Sequence, residues 1–298
     1  MSFLFFRPSS IGFAVALLAL VACKQAEQTT SGLRDDFGNP VSIPATPPSR
    51  IVSLNPATTE IFFAIGAGRR LIGRTSFDQW PDSAKLVPDL GNGINPNVEA
   101  VLGAHPDLVV LYASRDNRAA AKRLIASGVS TVSLKNDHIS DFARTTMLLG
   151  AIMHDTARAA TVRDSVQRTL DRVAVSMRGV SRPTVFWHIW DAPLITIGSG
   201  SFMDELVNLA GATNVYRDIN GPSGEITLED VARRNPDFIL AGPIGAHAIE
   251  SDPRWKIVRA AREQRIIVVD TNIVARPAVR LGEAAVSLAT LLHPGVLK

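Results

Sequence analysis

At 298 residues, 46% of them hydrophobic, the chain exceeds what one ordinary hydrophobic core serves. Its net charge of +3, with no Lys/Arg block and no basic–aromatic interleaving, excludes nucleic acid as an expected partner. A single cysteine, Cys23, excludes an intramolecular disulfide.

Arg7 supplies a short positive region, and residues 11–22 are apolar throughout. Twelve residues are too few for a helix to cross a bilayer, which takes about 20, but they suit the apolar region of a signal peptide. Leu20-Val21-Ala22-Cys23 then resembles a bacterial lipobox, in which the cysteine is diacylated and becomes the first mature residue. The alternative is an ordinary signal with an incidental cysteine. Lys24 does not ask for inner-membrane retention as an Asp would. Residues 1–22 thus read as a lipoprotein signal peptide and 23–49 as a tether and lead-in, polar through about Gly32 and Pro-punctuated from Pro40 to Pro48. No other apolar run approaches membrane-spanning length.

The fold opens with Arg50-Ile51-Val52-Ser53-Leu54, a buried strand feeding the Asn55-Pro56 turn. Thr58 or Thr59 is placed to cap a helix over 60–67, which Gly66 and Gly68 close. Strand-like runs recur at 108–111, 129–134, 184–187, 238–240 and 266–269, separated by helical patterns at 98–104, 117–127, 203–210, 228–234 and 255–262. The alternation predicts α/β lobes with mainly parallel sheets. Between them, 140–153 and 156–177 are helical; the second carries Val162, Val166, Leu170 and Val173 on one stripe, has no Gly or Pro, and stops at Gly179. The predicted organisation is two Rossmann-like lobes, 50–155 and 180–298, joined by a long rigid helix over 156–179.

An internal repeat links the two sides of that helix. Glu99-Ala-Val-Leu-Gly-Ala-His-Pro-Asp-Leu-Val-Val aligns without gaps on Glu229-Asp-Val-Ala-Arg-Arg-Asn-Pro-Asp-Phe-Ile-Leu, matching Pro106-Asp107 with Pro236-Asp237. Glu60-Ile-Phe-Phe-Ala-Ile-Gly-Ala likewise matches Glu205-Leu-Val-Asn-Leu-Ala-Gly-Ala. Helix–Pro-Asp–strand units are common in α/β proteins, but two matches in one order favour two similar lobes.

The order Arg50-Ile-Val-Ser-Leu-Asn-Pro-Ala-Thr-Thr-Glu60, Ile65-Gly-Ala-Gly68, Phe77-Asp-Gln-Trp-Pro81, Asn97-Val-Glu-Ala-Val-Leu102 and His105-Pro-Asp-Leu-Val-Val110 resembles the helical-backbone periplasmic binding proteins, which serve importers of cobalamin, haem and ferric siderophores. Phe202-Met-Asp-Glu-Leu206, Ala210-Gly-Ala-Thr-Asn-Val215 and Ile226-Thr-Leu-Glu-Asp-Val231 continue it, from about Asp35 to Leu292. Among members the chain looks closest to those that bind cobalamin. The resemblance implies a non-enzymatic protein, lipid-anchored through Cys23 outside the cytoplasm, that holds a cobalt or iron chelate between its lobes. Its implied partner is an ABC permease dimer with ATPase subunits. It also gives Glu99 and Glu229, one on each lobe, a role in docking to permease arginines. By position alone, both are equally first-turn helix acids that the dipole stabilises.

Cleft residues implied by the resemblance are Asn55, Pro56, Phe77, Trp80, Asn92, Tyr112, Arg115, Trp187, His188, Trp190 and Arg276. Phe77 and Trp80 match an aromatic pair of the cobalamin binder's loop. Gly91-Asn92-Gly93, 220–224 and 271–276 lack the tryptophans expected there, which Trp187 and Trp190 partly restore. Strand alternation sends Trp187 and His188 to opposite faces. His188 is a candidate axial ligand; Arg115 and Arg276 are candidate partners for anionic ligand groups, with a surface role as the alternative. The other histidines show no metal-ligand spacing, against a free Zn or Mn binder. Gly198-Ser199-Gly200-Ser201 lacks nucleophile-elbow spacing, and Leu71 breaks the glycine pattern begun by Gly66 and Gly68.

Overall fold

The computed structural model describes residues 1–2 and 32–297; the apolar segment, Cys23 and most of the polar run behind it lie outside the described residues. Among those described, no helix is long and apolar enough to cross a membrane.

The first half is built from β1 (Ile51–Leu54), α1 (Pro56–Ala64), β2 (Leu71–Gly73), α2 (Val98–Gly103), β3 (Leu108–Tyr112), α3 (Arg118–Ala126) and β4 (Ser130–Leu134). Its sheet runs β2-β1-β3-β4 and is parallel throughout. Both faces are covered, so β1 and β3 are largely apolar, while β4 alternates Val132 and Leu134 with Ser and Thr. Val52, Leu54, Val109 and Leu111 pack toward α2 and α3, and Ile51, Leu108 and Val110 toward α1. The lead-in is not loose: Asp35 accepts from the Ser133 amide, and Asp36 from the Lys135 amide and from Arg144.

α1 starts four residues before the expected position. Asn55 caps it, its Oδ1 accepting from the Ala57 amide at 3.0 Å, and Pro56 takes the first helical position, where its missing N–H costs nothing. Thr58 and Thr59 are buried inside the helix, their hydroxyls turned to the Asn55 carbonyl, to Ser53 and to Asp78.

α4 (Ile139–Ile152) leads to α5 (Thr156–Ser176), which is capped by Asp155 and spans about 31 Å at 1.5 Å per residue. Gly150 lets the two helices touch, since a Cβ there would lie 2.2 Å from that of Ala159. Val166, Leu170 and Val173 are buried as the stripe predicts, and Val162 packs against the same cluster.

The second half comprises β5 (Thr184–Asp191), β6 (Leu194–Ile197), α6 (Phe202–Leu209), β7 (Thr213–Asn214), β8 (Ser223–Glu225), α7 (Leu228–Arg234), β9 (Phe238–Ala241), α8 (Pro243–Ser251), α9 (Arg259–Arg262), β10 (Ile266–Val268), α10 (Thr271–Val274) and α11 (Leu281–Leu292). The sheet order is β10-β9-β5-β6-β8, with β7 also on β5. β7, β9 and β10 are parallel to the chain of pairings through β5, whereas β6 and β8 are antiparallel additions that the strand count had not anticipated. The helix expected over 255–262 is broken: a 3₁₀ turn over Pro253–Ile257 ends at extended Val258 before α9 begins. The break lets Trp255 and Val258 enter one core cluster together.

The repeat holds at the level of single hydrogen bonds. His105 and Asn235 both adopt φ of 49° ahead of Pro-Asp. Asp107 then accepts from the amides of Ser49 and Arg50 at the head of β1, and Asp237 from the amide and hydroxyl of Thr184 at the head of β5. Each aspartate ties its own strand to the neighbouring parallel one. One apolar cluster runs from Ile51 and Leu108 through α4 and α5 to Leu206, Leu240 and α11, so the two halves share a continuous core.

Candidate functional site

A cavity of about 440 Å³ lies between the halves, at the C-terminal ends of β1, β3 and β4. Crevices at such strand ends are where open α/β sheets bind ligands. Asn55, Pro56 and Ala57 line it from the start of α1, and Ser201, Phe202 and Met203 from the start of α6. These are the two helices matched by the second repeat, so pseudo-symmetry brings their N-terminal ends to one space. Ser201 Oγ accepts from the Asp204 amide as Asn55 does from Ala57. The first-half wall is polar, with Asn55, Tyr112, Asn136 and Asp137. The opposite wall is largely apolar, with Ile189, Ile197, Phe202, Met203 and Pro222.

A second cavity of about 390 Å³ shares Ile189, Met203 and Ala275 with the first and continues the apolar wall through Trp187, Trp190 and Ile244. The pairing of β5 with β6 is irregular between His188 and Trp190, as a bulge that re-aims side chains produces. Ile189, Trp190 and Ile244 are 40%, 61% and 88% exposed, an uncovered apolar patch at the cleft.

Of the expected cleft residues, Asn55, Pro56, Tyr112 and Arg276 line the first cavity; Trp187, His188 and Trp190 line the second. Phe77, Trp80, Asn92 and Arg115 line neither. Asn92 and Arg115 are exposed on their loops. Trp187 and His188 do point to opposite faces, yet both are buried, because the sheet is covered on both sides. His188 Nε2 pairs with Asp191 Oδ1 at 2.8 Å, and its other ring nitrogen abuts Gly245, where a Cβ would come within 2.5 Å. With Nε2 paired, the residue only 4% exposed and Nδ1 packed close against Gly245, the ring is held as part of the packing rather than presented as an axial ligand. Tyr112 donates to Asp137 at 2.6 Å; burial first, then that carboxylate, pushes its phenol well above the ordinary range, so it stays protonated.

Phe77 and Trp80 belong instead to a junction between the halves, which Arg276, at the edge of the first cavity, also joins. Arg276 donates to the Phe77 carbonyl at 2.7 Å, and Arg280 lies over the Trp80 ring, 5.0 Å from its centroid. Between them sits Glu60, 2% exposed, 3.5 Å from Arg280 and 3.9 Å from Arg276, with neither carboxylate oxygen accepting a hydrogen bond. Burial raises Glu60 to about 7 against the pull of the two arginines. Its repeat partner Glu205 also reaches across: it accepts from the Ile139 amide at the head of α4 and pairs with His138 at 2.5 Å, which raises that histidine.

The sequence reading missed Asn136, Asp137, Glu60 and Arg280. Asn136 and Asp137 had a usable signal, since they follow β4 as Asn55 follows β1.

Two α/β halves with matching helix–Pro-Asp–strand units, a shared helical backbone and a cleft walled from both sides define a two-lobed binding protein. The sequence matches the periplasmic binding protein family over residues 51–273, and the chain belongs to that family, in its helical-backbone class. It is a substrate-binding protein, not an enzyme. It is 29% identical over 272 residues to the uncharacterized ABC transporter substrate-binding lipoprotein YvrC of Bacillus subtilis, covering 89% of this chain and 86% of that one. It is 22% identical over 244 residues to the vitamin B12-binding protein of Vibrio vulnificus, covering 80% and 88%. The periplasmic heme-binding protein RhuT of Roseiflexus sp. RS-1 shares the fold, with a TM-score of 0.76 at 21% identity over 83% of this chain and 99% of that one.

Proposed function

We propose that the protein is the extracytoplasmic, lipid-anchored component of an ABC importer and that it captures a metal chelate, a corrinoid foremost, for delivery to the permease. The observation that carries the ligand class is the asymmetry of the cleft. An apolar wall through Ile189, Trp190, Phe202 and Met203 faces a hydrogen-bonding wall of Asn55, Tyr112, Asn136 and Asp137. A macrocycle with apolar faces and a polar rim matches both walls. The vitamin B12-binding relative supports the same class. Haem or a ferric siderophore is the second reading, favoured by the fold shared with the heme-binding protein. A free-ion binder is disfavoured: among the described residues no group of three or more His, Cys, Asp or Glu gathers.

Purified protein titrated with cyanocobalamin, haemin and a ferric siderophore tests the ligand by absorption spectrum and melting temperature. Cyanocobalamin is expected to raise the melting temperature with concentration, by about 2.7 kcal/mol of stabilisation at 100 times Kd. A response to haemin or the siderophore alone would replace the corrinoid reading. For the anchor, Cys23→Ser should move the protein from the membrane pellet to the soluble fraction, because acyl chains are the only strong attachment this sequence offers. A mutant that still pellets at high salt would remove the lipid from Cys23.

A further inference from the structure

We infer that Asn136, Tyr112 and Asp137 form a carboxamide subsite on the floor of the cleft, one that selects an amidated chelate over its carboxylate counterpart. The inference rests on the reading of a chelate in this cleft and specifies which chemistry on its rim is recognised.

The orientation of Asn136 follows from a chain of donors. The Ala57 amide can only donate, so Asn55 must present its oxygen to it, at 3.0 Å. The Asn55 nitrogen then donates to Asn136 Oδ1 at 2.9 Å. That leaves the Asn136 NH₂ without a partner in the protein: the nitrogen is buried, on a residue that is 8% exposed and lines the cavity. An unpaired buried donor costs roughly 1–3 kcal/mol, a cost that an incoming carbonyl oxygen removes. Asn55 is the positioning residue, and its own orientation is locked by capping α1.

The complementary acceptor stands beside it. Tyr112 pairs with Leu134 across the sheet, two residues before Asn136. Its proton is committed to Asp137, so what its oxygen has left to offer is an acceptor, next to a carboxylate, and both residues line the cavity. A primary carboxamide satisfies both positions: its C=O accepts from Asn136, and its NH₂ donates to Tyr112 or Asp137. A carboxylate satisfies only the first and is repelled by Asp137. Arg276, the cation on this cavity, is turned to the Phe77 carbonyl and lies near Glu60 across the junction.

The test is to measure affinities for cyanocobalamin and for the corrinoid whose side-chain amides are hydrolysed to carboxylates. Wild type should prefer the amide form at least about tenfold. Asn136→Asp keeps the oxygen that Asn55 needs but loses the donor, and should weaken cyanocobalamin by about tenfold. Tyr112→Phe, which leaves the Asn55–Asn136 chain intact, should reduce the preference between the two forms and decides the matter if Asn136→Asp misfolds by circular dichroism. Equal wild-type binding of the two forms, or cyanocobalamin affinity unchanged in both folded variants, overturns the subsite while leaving the corrinoid reading intact. Wild type that binds neither corrinoid but binds haemin overturns the reading itself, and the subsite with it.

Discussion

Uptake of the ligand should be lost in cells carrying Glu99→Arg together with Glu229→Arg, while the purified double mutant binds ligand as wild type does. Glu99 and Glu229 stand in the first turns of α2 and α7, at equivalent steps of the repeat, and both are exposed. The Pro-Asp units that follow tie each helix to its sheet in the same way, so the lobes present two carboxylates in matching settings. A permease dimer with arginines on both halves would meet one on each. Glu99 already pairs with Arg123 at 2.6 Å, but both side chains are largely exposed, and such pairs contribute about 0–1 kcal/mol. Reversal is the stronger test, since it turns attraction into repulsion at the rim. If the two acids only support their helices, uptake stays normal, stability falls slightly, and the docking role is withdrawn.

Replacing Arg280 by Met should cost about 3 kcal/mol of stability at pH 8, the usual cost of leaving a buried charge without its partner. Glu60 is the charge left behind, in a junction where its oxygens accept no hydrogen bond. The same carboxylate makes the wild type pH-dependent. Its folded value near 7 lies above the ordinary 4.5, so the folded state binds the extra proton between these values. Stability should therefore fall as pH rises through that window, by about 3 kcal/mol in all, at 1.36 kcal/mol per unit. Asp78, raised chiefly by burial, contributes with the same sign. His138 does too: its contribution is complete below its unfolded value and is lost as pH rises through its raised folded one. Thermal melts from pH 5 to pH 8 should lose most of this slope in Glu60→Gln, and Glu205→Gln should remove the part due to His138. A slope unchanged in Glu60→Gln would place the proton elsewhere, and an Arg280→Met protein as stable as wild type would mean the junction relaxes to admit water.

The parts of this fold legible in the sequence are those with a local cause. The helix–Pro-Asp–strand units could be read because left-handed His105 and Asn235, a proline and a strand-capping aspartate sit next to one another in the chain. α5 was legible because its apolar stripe and its freedom from Gly and Pro are properties of one segment. Family membership followed from the order of such segments. Where boundaries went wrong, tertiary contacts had outvoted local preference. Asn55 rather than a threonine caps α1 because Ser53 and Asp78 claim the Thr59 hydroxyl, and the 255–262 helix breaks so that Trp255 and Val258 share a core. The antiparallel strand β6 depends on pairing with β5, and β8 on pairing with β6, which no single segment announces.

The cleft divides in the same way. Asn55 and Tyr112 were visible as strand-end residues, but the sequence by itself left Arg276 and His188 as candidate ligand contacts. Only the tertiary structure turned Arg276 to the Phe77 carbonyl, 199 residues away, and fixed His188 between Asp191 and Gly245. It alone placed Glu60 between two arginines from the far end of the chain and left one amide of Asn136 unpaired at the cavity. The sequence determined which chemical groups this protein has and in what order. Whether a group is spent on holding the lobes together or left facing the cleft depends on desolvation and on partners distant in the chain, and only the assembled fold supplies those.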